Sequence, residues 1–422
     1  MSSFFLLDAG FQNYDWGKPA SESFVAKMKG LSSDDSGKNY AELWVGTHSS
    51  CPSRLSEGSK PLLASFFEED KNRKRYFSPA HEASKFRRTV PFLLKILSIK
   101  KTLSIQAHPN KALAEKLYAT SPDKYKDPNH KPELICALTP FEALCCFRPL
   151  NEIVAFLRRI PSLAKMVSAE EVLSSYLDIP PILPEKNSNE EKGILKSLMK
   201  NLYTTNAEDC VRELRIHLKH LKSSKPPTQC VEDGLFVRFY EQYPDDVGCW
   251  MAYFLNYVQL QPGQALFMSD SEPHAYISGD GVEIMACSDN VVRGGLTPKW
   301  KDVKLLIEML RYDTTGLDSA MYQCRSEEDP NGWQVQIYNP PSQFPDFSLY
   351  RLQNSSNEPR GKVLIKIPSI GLGFCLEGEA MINGSKVKAG DCFAVSYGDV
   401  TCEALNRKTL IFVSSTNELS KL

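Results

Sequence analysis

LQPGQALFMSDSEPHAY, residues 260–276, and VKAGDCFAVSYGDVTCE, residues 387–403, are two runs of one pattern. Aligned without a gap they set Gly263 against Gly390, each after a short strand-like stretch and before an apolar one. A turn residue between two such stretches reads as a pair of strands, and its recurrence predicts two copies of one β-sandwich unit. The copies differ where His274 stands opposite Thr401.

Outward from these runs the period of the sequence changes twice. Residues 1 to about 145 carry short apolar runs broken by Gly, Pro and Ser, which predicts strands joined by turns. The exception is 107–120, where Leu113 and Leu117 at i,i+4 predict a helix with Pro109 in its first turn, a position that needs no N–H donor. From about 149 to 258 the period becomes helical. Ile194, Leu195, Leu198, Met199 and Leu202 line one face, as do Val211, Leu214, Leu218 and Leu221. Ser168 with Glu171 has the form of a capping box, and polar or Pro-rich loops at 179–189 and 222–230 separate the helices. Strand pattern returns near Val258 and runs to the C-terminus, interrupted by a helix expected at 300–311. The fold expected is mainly β with an α-helical insert. Its division is 1–148 with 259–325 as one sandwich, 149–258 as the insert and 326–422 as the second sandwich.

A chain of 422 residues suits two or three domains. Fifty basic against fifty-one acidic side chains leave a net charge of −1, so no global field draws the chain to nucleic acid or to an anionic membrane. Twelve cysteines without a C-x-x-C pair, many inside apolar runs, read as reduced thiols. The start, MSSFFLLDAG, lacks the basic region of a signal peptide, and no apolar segment has the length of a membrane span. These features together place the chain in the cytoplasm.

The chemistry concentrates in a few places. In Thr102–Asn110, Gln106 and His108 at i,i+2 project from one strand face and can grip one ion, although such a pair at a strand end needs no metal. Glu133, in Asn129-His130-Lys131-Pro132-Glu133, opens the apolar run LICAL. A carboxylate there must be metal-bound, hydrogen-bonded or paired, for instance with Lys131 or Arg148. His274 alone reads as a loop histidine. Together, Gln106, His108, Glu133 and His274 make a borderline-hard donor set without cysteine, suited to a catalytic zinc with coordination left for substrate or water. In Gly281–Gly295, Glu283 and Met285 share a strand face, and Asp289-Asn290 is a turn that delivers Arg293 beside two glycines. Arg293 offers a planar fork to a phosphate or to a developing oxyanion, or pairs at the surface, and Lys299 adds charge nearby.

Asn13–Gly17, Tyr40–His48, Leu103–Lys116, Asn129–Glu133 and Pro273–Pro298 together resemble the type I phosphomannose isomerases, in order and spacing from residue 4 to about 315. The resemblance implies a cupin-type jelly-roll catalytic core, an inserted helical domain and a second, metal-free C-terminal jelly roll, with the ligand lost at Thr401. It implies one zinc per chain on Gln106, His108, Glu133 and His274, and Arg293 as a catalytic arginine. Lys95, Ser104, Lys131, Tyr276, Glu283, Asp289 and Lys299 match pocket positions. The reaction implied interconverts mannose 6-phosphate and fructose 6-phosphate through an enediolate, feeding GDP-mannose for glycosylation. Such chemistry needs a base for a weak carbon acid and a cation for the oxyanion, with Glu283, Lys131 or Asp289 as the proton carrier. A sugar-phosphate enzyme of this kind is expected as a monomer with no nucleic-acid or membrane partner. Two rivals stand beside it: a cupin oxygenase, which does not expect a glutamine ligand, and a non-enzymatic sugar-binding scaffold, which does not need the ligands or Arg293. The insert, placed between the halves of the metal site, is expected to act as its wall or lid.

Overall fold

The computed structural model describes residues 4–33, 36–86, 88–174, 183–223, 230–329, 332–354, 361–406 and 408–417. Parts of the two loops expected at 179–189 and 222–230 lie outside them. Among the described residues no helix is long and apolar enough to cross a membrane.

Two antiparallel β assemblies pack against each other. The first is built around the long strand His274–Ala286, flanked by Phe92–Ile99 on one side and Glu133–Ala137 on the other. All eight residues of Phe92–Ile99 are buried, which is why that run reads as apolar except for Lys95 and Ser98. The strand period of two then sorts them. Phe92, Leu94 and Ile96 enter a core shared with Leu372, Phe374 and Phe412 of the C-terminal half, while Lys95 faces the other way. Register carries this sorting across the sheet: Glu283 lies opposite both Lys95 and Ile135, Met285 opposite Glu133, and Trp44 opposite Lys95. Residues directly opposite share a face. One face of the sheet therefore glues the two halves together, and the other collects the charged groups.

The two glycines of the matched runs occupy equivalent turns. Gly263 precedes the strand Ala265–Met268 and Gly390 precedes Cys392–Val395, with φ of 87° and 98°. Only glycine takes that conformation without a steric cost. The second sheet is not made from the C-terminal part alone. Phe4–Asp8 pairs with Cys392–Val395 and with Arg54–Leu55, so the start of the chain completes the C-terminal sheet.

Between the strands lies the helical block, whose main helices are Leu150–Arg159, Asn189–Thr204, Ala207–Ser223 and Val231–Gln242. The face expected for Asn189–Thr204 is the buried one. Ala207–Ser223 is turned slightly: its buried line is Cys210, Glu213, Leu214, His217 and Leu221, with Val211 and Leu218 flanking it. The rotation is possible because the polar members find partners, Glu213 with Lys165 at 2.7 Å and His217 with the Tyr253 hydroxyl at 2.8 Å.

Three local expectations are corrected. The helix expected from 107 runs Lys111–Thr120, because Asn110 caps it by accepting from the Leu113 N–H at 2.9 Å, so Pro109 precedes the helix. Ser168 sits at φ 51°, ψ 49° and makes no capping bond, so the short helix Ala169–Val172 opens without a capping box. The helix expected at 300–311 is Val303–Met309, started by Asp302 accepting from Leu305 N–H. Asn110→Ala is expected to cost about 1 kcal/mol, seen as a lower denaturant midpoint at unchanged slope.

Candidate metal centre

His108 follows the short strand Ile105–Ala107, and His274 begins the long central strand. Each ring is oriented by a backbone carbonyl: Nδ1 of His108 donates to Asn290 O at 2.7 Å, and Nδ1 of His274 to Glu272 O at 2.9 Å. A carbonyl only accepts, so both protons sit on Nδ1 and both Nε2 atoms carry free lone pairs. Those atoms converge on Glu133, His108 at 3.4 Å and His274 at 3.3 Å from its two carboxylate oxygens. The donor atoms of the three lie within 4.8 Å of one another. All three side chains are buried, yet among the described residues neither Nε2 nor Glu133 Oε2 has a hydrogen-bond partner. Three orphaned donor atoms in one buried spot fit a divalent cation, since without one their desolvation is uncompensated. Burial pushes His108 down to about 4, which keeps it neutral as a ligand must be. Burial works against the charge of Glu133, but Lys131 and His108 outweigh it and hold the carboxyl well below its usual range.

Gln106 is brought to the same place by register, opposite both His274 and Arg293. It lines a cavity of about 560 Å³ together with Glu133 and Arg293. Lys131 also lines this cavity and pairs with Glu133 at 3.0 Å. Of the two pairings expected for Glu133, this is the one formed; Arg148 instead pairs with Glu152 and Glu232, both at 3.2 Å.

The remaining candidates fall into the same cavity with different surroundings. Lys95 is buried at 3.0 Å from Glu283 and 3.7 Å from Glu42, with its ammonium 4.9 Å from the centre of the Trp44 ring. Burial disfavours its charge, but the two carboxylates prevail and keep it an ammonium. Glu283 is raised above the ordinary carboxylate range by burial, against the pull of Lys95. Tyr276 lies beside it, its phenol pushed far up by burial. At the mouth, Asp289 is exposed and 3.3 Å from His48, which lowers it. Ser104 and Lys299 also line the cavity, Lys299 from its exposed rim. The side chain of Arg293, half-buried, makes no hydrogen bond or ion pair among the described residues. A guanidinium stays charged in any such setting, so this one is available to an anion.

Sequence reasoning left several lining residues without a role: Glu42, Trp44, His48, Lys101 and Tyr243. A signal for the first existed, a carboxylate inside the fully buried run Glu42–Val45. For Tyr243 there was none, because it ends the helix Val231–Gln242 in the insert and reaches the cavity only through the fold. Its hydroxyl donates to Thr102 O at 2.6 Å and its ring lies 4.2 Å below the Lys101 ammonium, so the insert forms part of the cavity wall.

The family model described as the catalytic domain of type I phosphomannose isomerase matches residues 4–150, and that of the helical insertion domain of the same enzymes matches 172–255. The chain is similar to a mannose-6-phosphate isomerase of Homo sapiens, 38% identical over 375 residues that span 85% of this chain and 84% of the other. It is likewise similar to one from Candida glabrata, 39% identical over 416 residues and 94% of each chain. Among solved structures, a zinc-bound mannose 6-phosphate isomerase superposes with a TM-score of 0.80 at 27% identity, covering 99% of this chain and 100% of that one.

Proposed function

This chain belongs to the type I phosphomannose isomerase family, and from that premise we propose how its cavity interconverts mannose 6-phosphate and fructose 6-phosphate with zinc as cofactor. The observation that carries the reading is the buried His108–Glu133–His274 trio with its orphaned donor atoms, set beside Arg293, whose guanidinium is unpaired among the described residues. These three residues hold the zinc, with Gln106 as a fourth ligand. Bound there, zinc supplies Lewis-acid polarisation of substrate oxygens.

The protein's own groups supply the rest. Aldose-to-ketose conversion takes the proton from C2, leaves an enediolate whose hydroxyl proton passes from O2 to O1, and returns a proton to C1. Glu283 is the base we favour, because burial raises its proton affinity toward what carbon deprotonation needs. Lys95 already faces Glu283 and Glu42, so its task is to aim Glu283. Arg293 faces the oxyanion with a permanent charge in a partly desolvated setting. Asp289, paired with His48 at the open mouth, and Lys131 are placed to exchange protons with sugar hydroxyls when the ring opens. Lys299 and Ser104 at the rim, with Lys101, provide donors for the phosphate, and buried Tyr276 closes the cavity floor. We further place the chain in the cytoplasm, a reading supported by its twelve free cysteines, and read it as a monomer.

A chelator is expected to abolish mannose 6-phosphate turnover in a coupled assay, and added zinc to restore it. The same assay under strict exclusion of oxygen separates isomerase from oxygenase, since isomerisation consumes none. Turnover that survives complete zinc removal overturns the metal assignment.

A further inference from the structure

Asp127, Ser288 and Asn290 form a polar staple behind the metal centre, built from segments far apart in the sequence. Asn290 is 1% exposed, and its amide nitrogen donates to Asp127 O at 2.7 Å and Asn129 O at 2.9 Å. The Asp127 carboxylate accepts from the Ser288 hydroxyl and from the Asp289 N–H, each at 2.8 Å. Asn129 returns the link through its own amide to Cys287 O at 3.1 Å. The first of the stapled segments leads into Lys131 and Glu133, and the second carries Asp289 and leads into Arg293. The carbonyl of Asn290 is the acceptor that fixes His108.

We propose that Asn290 is a positioning residue for the zinc site, setting at once the rotation of the His108 ring and the spacing between the two segments that bring the catalytic groups. The physical reason is convergence on one residue. Its side chain can make both bonds only with the amide nitrogen turned toward the two carbonyls, and that orientation locates its own carbonyl under His108 Nδ1. Loss of the side chain frees the backbone at 290, and the imidazole loses a fixed acceptor. Groups that orient a ligand histidine from behind affect metal affinity by roughly 10–100-fold. This inference rests on the zinc assignment.

The test is zinc affinity of the full chain by chelator competition, together with the visible absorption of the cobalt(II)-substituted protein. Asn290→Ala is expected to weaken zinc about 10–100-fold and to shift the cobalt ligand-field bands, with less zinc-saturated activity lost than metal affinity. Asn417→Ala serves as the comparison. That buried amide also bridges two carbonyls, Pro340 O at 2.9 Å and Phe344 O at 3.3 Å, but away from the site. It is expected to lower stability while leaving zinc affinity and cobalt spectrum native. If Asn290→Ala does not fold, Asn290→Asp, which keeps the shape of the side chain but removes the donor to both carbonyls, is expected to show a change in the same direction. Native zinc affinity and spectrum in the folded variant overturn the positioning role. Failure of the unaltered protein to take up zinc overturns the cofactor reading as well.

Discussion

Arg293→Ala is expected to lower kcat by about 10²–10³-fold, the range seen when a preorganised oxyanion donor is removed. Zinc content should stay at one per chain, because no ligand of the trio contacts the guanidinium through a hydrogen bond or ion pair among the described residues. Arg293 is half-buried, lines the cavity that Glu133 also lines, and has its charge uncommitted, whereas Lys95 and Lys131 are already paired with carboxylates. An uncommitted cation in a partly desolvated cavity gains most when negative charge develops on the substrate, so its removal falls on the transition state more than on substrate binding. Steady-state kinetics with zinc quantified on the same sample checks both parts. A variant that turns over at near-native rate removes Arg293 from the reaction; one that loses zinc in parallel makes it a structural residue.

The second large effect is expected at His274→Ala, where zinc and activity disappear together. The lost ligand is buried, and its replacement leaves a hole behind Glu133 that a methyl group cannot fill. The Glu133–Lys131 pair survives the change, so the fold should hold while the metal is released. The loss of zinc affinity should exceed the roughly 10–100-fold that outer-shell changes cost. Metal analysis after dialysis, beside circular dichroism to show an intact fold, decides the matter. Full zinc occupancy in a folded His274→Ala protein would exclude that histidine from the site. Comparison of the two variants separates holding the metal from stabilising the oxyanion, since one loses zinc and the other keeps it.

The legible and illegible parts of this fold divide along a physical line. Strand alternation is local, yet Lys95 entered the sequence reading only through the family resemblance, and its setting in the buried run Phe92–Ile99 came from the fold. Gly263 and Gly390 announced their turns because a positive φ restricts the residue type. Helix periods were equally readable, apart from the rotated face of Ala207–Ser223, where buried Glu213 and His217 depend on partners outside the helix. The capping signal at Ser168 failed for the same reason: its backbone, at φ 51° rather than in the extended region an N-cap takes, is set by the chain around it, and its hydroxyl makes no capping bond.

Sequence alone determined the kinds of group available: two imidazoles, a carboxylate, an amide and a guanidinium, each on or beside a strand whose faces alternate. Tertiary structure alone decided that His108 and His274 aim the same nitrogen at Glu133, because the carbonyls of Asn290 and Glu272 that hold their rings are backbone atoms present at every position. It alone decided that Lys131 and not Arg148 pairs with Glu133, that Phe4–Asp8 completes the distant sheet, and that Tyr243 of the insert walls the cavity. Burial and hydrogen-bond direction arise from groups brought together in space, so a linear pattern can name the participants of a site but not their orientation.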